Sequence, residues 1–258
     1  MAVPDAVRYK VVRAYEHLKE LEAEIGRYYE TNPAKVVRQA EGSPDEYIGK
    51  IVAEGPIPAR IPMIIGDCVQ NLRSSLDYLV WELVFAAKNN PIDRNMFPIC
   101  TTPEAFIAQR DGHRLDGIAP DAVAEIDRLQ PYHHGKDAAK DMLAVIDHLC
   151  HIDKHRRVLL THLHGAVAPH PIVTQEINGQ TWAEVDLGAM LDKDAKIGPF
   201  PIVDGPEGPG LQVDVKPHLL AFIAFGEGAA KDMQVGVVLG GMLRYINDGV
   251  LPRFDRFF

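Results

Sequence analysis

The stretch HLCHIDKHRRVLLTHLH, residues 148–164, holds five of the chain's eleven histidines in seventeen positions. Imidazole titrates near neutral pH and also ligates metals, so such a run raises two chemistries, proton transfer and metal binding. As part of one helix over about 136–164, turning roughly 100° per residue, Asp137, Asp141, His148, His151, His155 and His162 share one stripe. Met142, Val145, Ile146, Leu149, Ile152, Leu160 and Leu163 lie well round from it. The i, i+3 and i, i+4 spacings can place imidazoles on one ion. His148, His151 and His155 are therefore the candidate ligands for a divalent metal (Zn, Fe or Mn), with Asp67 or Asp77 as a carboxylate partner. No HExxH or ExxH pair is present, and a solvent-facing polar stripe would give the same pattern.

Asp153, Arg156 and Arg157 fall on the apolar side of that helix. Burying an unpaired charge costs several kcal/mol, so these residues are expected to meet charges from another helix. The candidate partner is the most hydrophobic stretch of the chain, read as a buried helix over about 63–88. In GDCVQNLRSSLDYLVWEL, Val69, Leu72, Leu76, Leu79 and Leu83 form one apolar line. Arg73 and Asp77 are four apart and can pair along the helix. Asp67, Asn71, Ser74, Tyr78 and Glu82 make an adjoining polar stripe. A helix that is apolar nearly all round with a polar patch belongs at the centre of a bundle, where ligands commonly sit between helices. An internal salt-bridge network fixing helix register is the architectural alternative.

The elements that would position these residues are readable in outline. Residues 5–29 form an amphipathic helix in which Val12, Tyr15, Leu18, Leu21, Ile25 and Tyr28 recur at helical steps. KVVRQA and EYIGKIVA flank the turn EGSPD and read as a hairpin over about 35–53. A short helix is expected around PEAFIAQR and another over 119–129, with QPYHHG breaking the chain before 136. Beyond Gly165 the pattern turns to strands. IVTQEI-NG-QTWAEVDL is a hairpin signal through its Asn-Gly turn. PFPIV, LQVDV and HLLAFIAF are further strands, and DGPEGPG at 204–210 is a loop. A helix over about 231–248 precedes LPRFDRFF, a tail that can dock on its own chain or on a second subunit.

The order helix, hairpin, helices, sheet, helix lacks βαβ alternation. The expected fold class is α+β, a helical bundle with an antiparallel β-sheet packed against it. It is read as a single domain over 1–258, with a helical part at about 5–165 and a β-rich part at about 166–226.

Composition narrows the function classes. The chain has 258 residues, 47% of them hydrophobic and 24% charged, with a formal net charge of −9. That charge opposes an extended nucleic-acid surface and anionic membranes. The long hydrophobic stretch carries Asp67, Arg73, Asp77 and Glu82, so no membrane span is expected. The N-terminus lacks a secretory leader pattern. Three cysteines, Cys68, Cys100 and Cys150, form no CxxC pair and suit a reducing, cytoplasmic setting. No GxxxxGK[ST], no GxGxxG after a strand and no GxSxG is present.

NLRSSLDY (71–78), LQPY (129–132) and DKHRR (153–157) resemble an uncharacterised bacterial family in which the first motif commonly ends in histidine. The arginine-to-histidine spacing of that motif is also similar to HEPN-type ribonucleases, which are helical bundles. The resemblance implies a hydrolytic or nucleolytic enzyme acting on RNA, with arginine and histidine at the scissile phosphate, across a homodimer interface. Here Tyr78 stands in the histidine's place, and a phenol is a poor base near neutral pH. Arg157 with His162, and Arg128 with His133, repeat the same spacing.

Three readings follow. The first is a HEPN-like enzyme with Arg73 or Arg157 stabilising an anion and His151, His155 or His162 moving the proton. Asp77 would assist, and Asp67, Asn71, Tyr78, Asp153 and Arg156 would bind substrate. The second is a metal-dependent enzyme for a small molecule, and the third is a non-catalytic binding or scaffold protein.

Overall fold

The computed structural model describes residues 2–31, 35–40, 47–52, 56–164, 173–177, 180–184 and 221–258. Helix accounts for 69% of the described residues, which are thus mostly helical, and the described strands form two-stranded pairs. The chain divides into two compact units. One comprises Met1–Ile25, Pro58–Thr161 and Ala224–Phe258, and the other comprises Gly26–Ile57 and His162–Ile223.

The helical unit is organised around α2, Arg60–Ala86. This helix starts earlier than the expected 63, because Pro62 falls in the first turn, where its missing N–H removes no helical hydrogen bond. Ile61, Ile65, Leu72, Leu76, Leu79 and Leu83 are fully buried along it. Against α2 lie α5, Met142–His155, and α6, Val235–Arg244. They supply Leu143, Ile146 and Leu149 from the first, and Val235, Leu239 and Met242 from the second.

Helix α1, Asp5–Thr31, belongs to this unit as far as Ile25. The Cys68 thiol donates to the Ala14 carbonyl (3.4 Å), and Arg60 pairs with Glu20 (2.7 Å). The buried face of α1 is Val7, Val11, Ala14, Leu18 and Leu21, at steps of four and three. Val12 and Tyr15, expected on that face, are about half exposed instead. Leu18, Leu21 and Tyr28 of the same expected set are buried.

The short helices α3, Pro103–Asp111, and α4, Pro120–Arg128, fall where the sequence places them. The Thr102 hydroxyl caps α3 by accepting from the Ala105 N–H (3.2 Å). The long helix expected over 136–164 is not formed. A 3-10 segment, Pro131–Lys140, kinks at Gly135 (φ 56°), and the Asp141 carboxylate then caps α5 through the Leu143 N–H (2.8 Å). Helix α5 ends at His155, and Leu160–His164 is a strand, β3. The run VLLTHLH has apolar residues at both periods, and its β-branched content suits a strand.

The second unit carries two antiparallel hairpins. Strand β1, Lys35–Ala40, pairs with β2, Tyr47–Val52, from Lys35↔Val52 to Ala40↔Tyr47. Strand β4, Val173–Ile177, pairs with β5, Gln180–Glu184. Their register runs from Val173↔Glu184 to Ile177↔Gln180, the antiparallel pairing expected of a hairpin. Strand β6, Ala221–Phe225, pairs with β3. The expected strands PFPIV and LQVDV and the loop 204–210 lie outside the described residues. Among the described residues, no helix is long and apolar enough to cross a membrane.

The C-terminal tail docks on its own chain. After α6 the backbone widens into a π-type turn, Tyr245–Val250, and closes with a 3-10 turn, Leu251–Phe257. Leu251 and Phe254 are fully buried. Glu125 of α4 fastens this turn, accepting from Arg253 (3.2 Å) and Arg256 (3.4 Å) as well as from Arg128 (2.7 Å). Asp255 holds the other chain end through the Val3 N–H (2.8 Å) and Arg8 (3.4 Å).

Burial would push the Glu125 carboxyl up, but Arg253 and Arg128 outweigh it and hold it below the ordinary glutamate value. The ionised form therefore stabilises the fold above the unfolded-state value, and that contribution is lost as pH falls through the lower folded value. Glu125→Gln is expected to cost about 1–2 kcal/mol at pH 7, limited by water around the arginines. Urea unfolding at stepped pH should show the gap to wild type closing on acidification. A gap independent of pH would contradict this.

Candidate functional site

Arg73 is a buried charged residue at the centre of the helical unit's longest buried helix, with 8% of its surface exposed. Its Nη1 donates to Asp77 Oδ1 (2.6 Å), its Nη2 to the Phe97 carbonyl (2.8 Å) and its Nε to Asp147 Oδ1 (3.2 Å). Asp77 Oδ1 also accepts from the Phe97 N–H (2.9 Å). One ion pair thus satisfies both backbone groups of a fully buried phenylalanine in an irregular segment, groups that would otherwise be costly to bury. Burial raises the Asp77 carboxyl above its ordinary value, against the pull of Arg73 and the Phe97 N–H.

The same segment is held from its other side. Gln130, of the LQPY motif, is 1% exposed. Its oxygen accepts from the Cys100 N–H (3.0 Å), and its nitrogen donates to the carbonyls of Pro98 and Ile126 (both 3.0 Å). The Tyr132 N–H donates to the Cys100 carbonyl (3.1 Å). Asn95 accepts from the Ile92 N–H (2.7 Å) and donates to the carbonyls of Asp116 (3.1 Å) and Arg114 (3.3 Å). The Tyr132 hydroxyl donates to Asp127, and burial together with that carboxylate raises the phenol to about 12.

The third motif joins α5 to α2. Asp153 Oδ2 accepts from the Gln70 side chain (3.3 Å) and sits over Gly66, where an added Cβ would lie 2.0 Å from Asp153 Oδ1. Gln70 also donates to the Cys150 carbonyl (3.3 Å) and accepts from the Cys150 thiol (3.1 Å). Burial pushes the Cys150 thiol up, Cys100 to about 11 and Cys68 to about 12, so all three are held as thiols.

Helices α2 and α5 therefore share one polar seam of Arg73, Asp77, Asp147, Gln70, Cys150 and Asp153. The histidines stand outside it. His148 is exposed beside Gly228, whose φ is +74°, where an added Cβ would meet Nε2 at 2.9 Å. His151 and His155 are exposed with ring centroids 4.6 Å apart. No histidine among the described residues hydrogen-bonds or ion-pairs with Arg73, Asp77 or Asp147. No three His, Cys, Asp or Glu side chains among the described residues form a group that could hold a metal ion. His162 lies on β3, not on the histidine helix, so its expected helical alignment with His155 is corrected.

The two arginines are also placed differently from expectation. Because α5 ends at His155, Arg156 and Arg157 turn outward and do not meet a second helix. Arg156 forms a two-pronged pair with Glu227 (2.5 and 2.7 Å), and Arg157 is exposed. On α2, Asp67 is exposed, Asn71 donates to the Asp67 carbonyl (2.8 Å), and Tyr78 is 45% exposed under the Lys10 ammonium.

Sequence reasoning missed Asp147, Gln70, Gln130 and Asn95. One signal was present for the α2–α5 seam. A glycine inside an apolar helix costs about 1 kcal/mol against alanine, and Gly66 carries that cost to admit Asp153. Compared with family models, curated proteins and solved structures, the chain matches none.

Arg73→Ala should destabilise the protein by about 3 kcal/mol or more, since it leaves Asp77 and the Phe97 carbonyl without their donor. Arg73→Lys should recover only part of this, because one ammonium cannot reproduce three divergent donors. Urea unfolding of both variants measures it, and a wild-type midpoint for Arg73→Lys would contradict the three-way clamp.

Proposed function

We propose that this protein is a non-catalytic binding or scaffold protein whose three motifs work as internal fasteners of its helical unit. The observation that carries this reading is the engagement of all three nitrogens of Arg73 within the chain. Nε, Nη1 and Nη2 each donate to an acceptor of the same chain, and the side chain is 10% exposed. A guanidinium that stabilises a reacting phosphate needs donors free to meet developing charge. With its side chain only 10% exposed, Arg73 offers its two remaining N–H groups little access to a bound phosphate. Gln130 and Asp153 are likewise directed at backbone and side chains of the chain itself.

The enzymatic alternatives rest on the exposed histidines of α5. A nucleolytic role would fall to His151 and His155, and a metal-dependent role to His148 with the same pair. The scaffold reading predicts that wild-type protein leaves a synthetic single-stranded RNA intact over hours. It also predicts that gel-filtered, untagged protein carries far less than one equivalent of zinc, iron or manganese by plasma mass spectrometry. RNA cleavage that disappears in a folded His151→Ala/His155→Ala variant would overturn it in favour of hydrolysis. Near-stoichiometric metal lost in that variant would overturn it in favour of the metal enzyme.

A further inference from the structure

The buried Glu125 carboxylate gathers more positive charge than it neutralises. Its Oε2 accepts from Arg128 (2.7 Å) and Arg256 (3.4 Å), and its Oε1 accepts from Arg253 (3.2 Å). Three guanidiniums against one carboxylate leave a formal surplus of two positive charges, on a chain whose net charge is −9. The carboxylates of neighbouring segments keep their charge but make contacts of their own. Asp127 accepts from Tyr132, Asp255 from the Val3 N–H and Arg8, and Asp248 from Asn247. Asp141 caps α5 and pairs with His134 (3.3 Å).

The three arginines are fixed but open to solvent. Arg128 closes the last turn of α4, where a cation is favoured by the helix dipole. Arg253 and Arg256 are three apart on one 3-10 turn, so their side chains leave it on the same side. Leu251 and Phe254 root that turn in the core, Arg253 Nε donates to the Gly249 carbonyl (3.0 Å), and Arg256 lies over the Phe257 ring (4.8 Å). The side chains are nonetheless 61%, 50% and 60% exposed for Arg128, Arg253 and Arg256. Each guanidinium carries five donors, and most of these remain directed at water.

We propose that Arg128, Arg253 and Arg256, preorganised by Glu125, form a binding site for a dianionic oxyanion, a phosphate or the phosphate group of a monoester. Three guanidiniums anchored on one carboxylate suit an oxyanion, and a tetrahedral phosphate offers enough acceptors for three planar forks at once. The site uses none of the residues around Arg73 and stands independently of the scaffold reading.

Titration calorimetry at constant ionic strength tests it, with inorganic phosphate and glycerol 2-phosphate as probes and chloride as the reference anion. Wild-type protein should bind at least one probe saturably at one site, and the tighter of the two identifies free phosphate or a monoester as the preferred source. Arg128→Gln and Arg256→Gln should each weaken binding about tenfold or more, the loss expected from one charge-assisted hydrogen bond. Arg110→Gln, on α3, should bind as wild type. Thermal unfolding checks that the variants fold, and Arg128, outside the tail, keeps the test valid if Arg256→Gln loosens the turn. Heats no different from chloride in wild type, or wild-type affinity in folded Arg128→Gln, would overturn the proposal.

Discussion

The helical unit depends on one ion pair and the backbone it holds. Arg73 and Asp77 stand one turn apart on α2 and together grip the N–H and the carbonyl of Phe97. Phe97 belongs to a stretch with no regular structure, yet its side chain is fully buried. Such a segment cannot enter a core unless its peptide groups find partners. The ion pair supplies them, and Asp147 of α5 completes the guanidinium's set at 3.2 Å. One arginine thereby couples the central helix, its packing neighbour and the segment between α2 and α3.

Gln130 does for Pro98 and Cys100 what Arg73 and Asp77 do for Phe97, from the opposite flank. Asp153, admitted by Gly66, does the same for the α2–α5 seam. Buried polar groups of this kind contribute little net stability when satisfied but cost a great deal when a partner is lost. Their value here lies in specifying one arrangement of helices that apolar packing alone would leave loosely determined. The exposed histidines take no part in these networks. Asp153 and the histidines that flank it in sequence, His151 and His155, therefore belong to different faces of α5.

How much of this was legible depended on distance along the chain. Helix α2 was plain, because its apolar line Val69, Leu72, Leu76, Leu79 and Leu83 keeps a helical period and its Arg73–Asp77 spacing is local. The β4–β5 pairing was plain for the same reason, an Asn-Gly pair flanked by alternating residues. Asp147 and Gln130 were not legible as partners, since they act across 74 and 30 residues and nothing local marks them. Two helical readings failed through the ambiguity of apolar spacing. Val12 and Tyr15 suited a helical step but stay about half exposed on α1, and VLLTHLH suited a helix although β3 forms there. The latter error moved Arg156, Arg157 and His162 away from the site the sequence drew around them. Glu125 was hidden because two of its three arginine partners lie in the tail, 128 and 131 residues later.

The most direct test of this account is amide hydrogen exchange at Phe97 and Cys100, measured by NMR under native conditions. Both amides sit in a segment without secondary structure, where exchange is ordinarily fast. If the side chains of Asp77 and Gln130 hold them as described, both should be protected to nearly the level of mid-helix α2 amides such as Leu76, because releasing them requires opening the helical unit itself. Exchange at loop-like rates, with α2 still protected, would show that the polar clamp is not what holds the unit together.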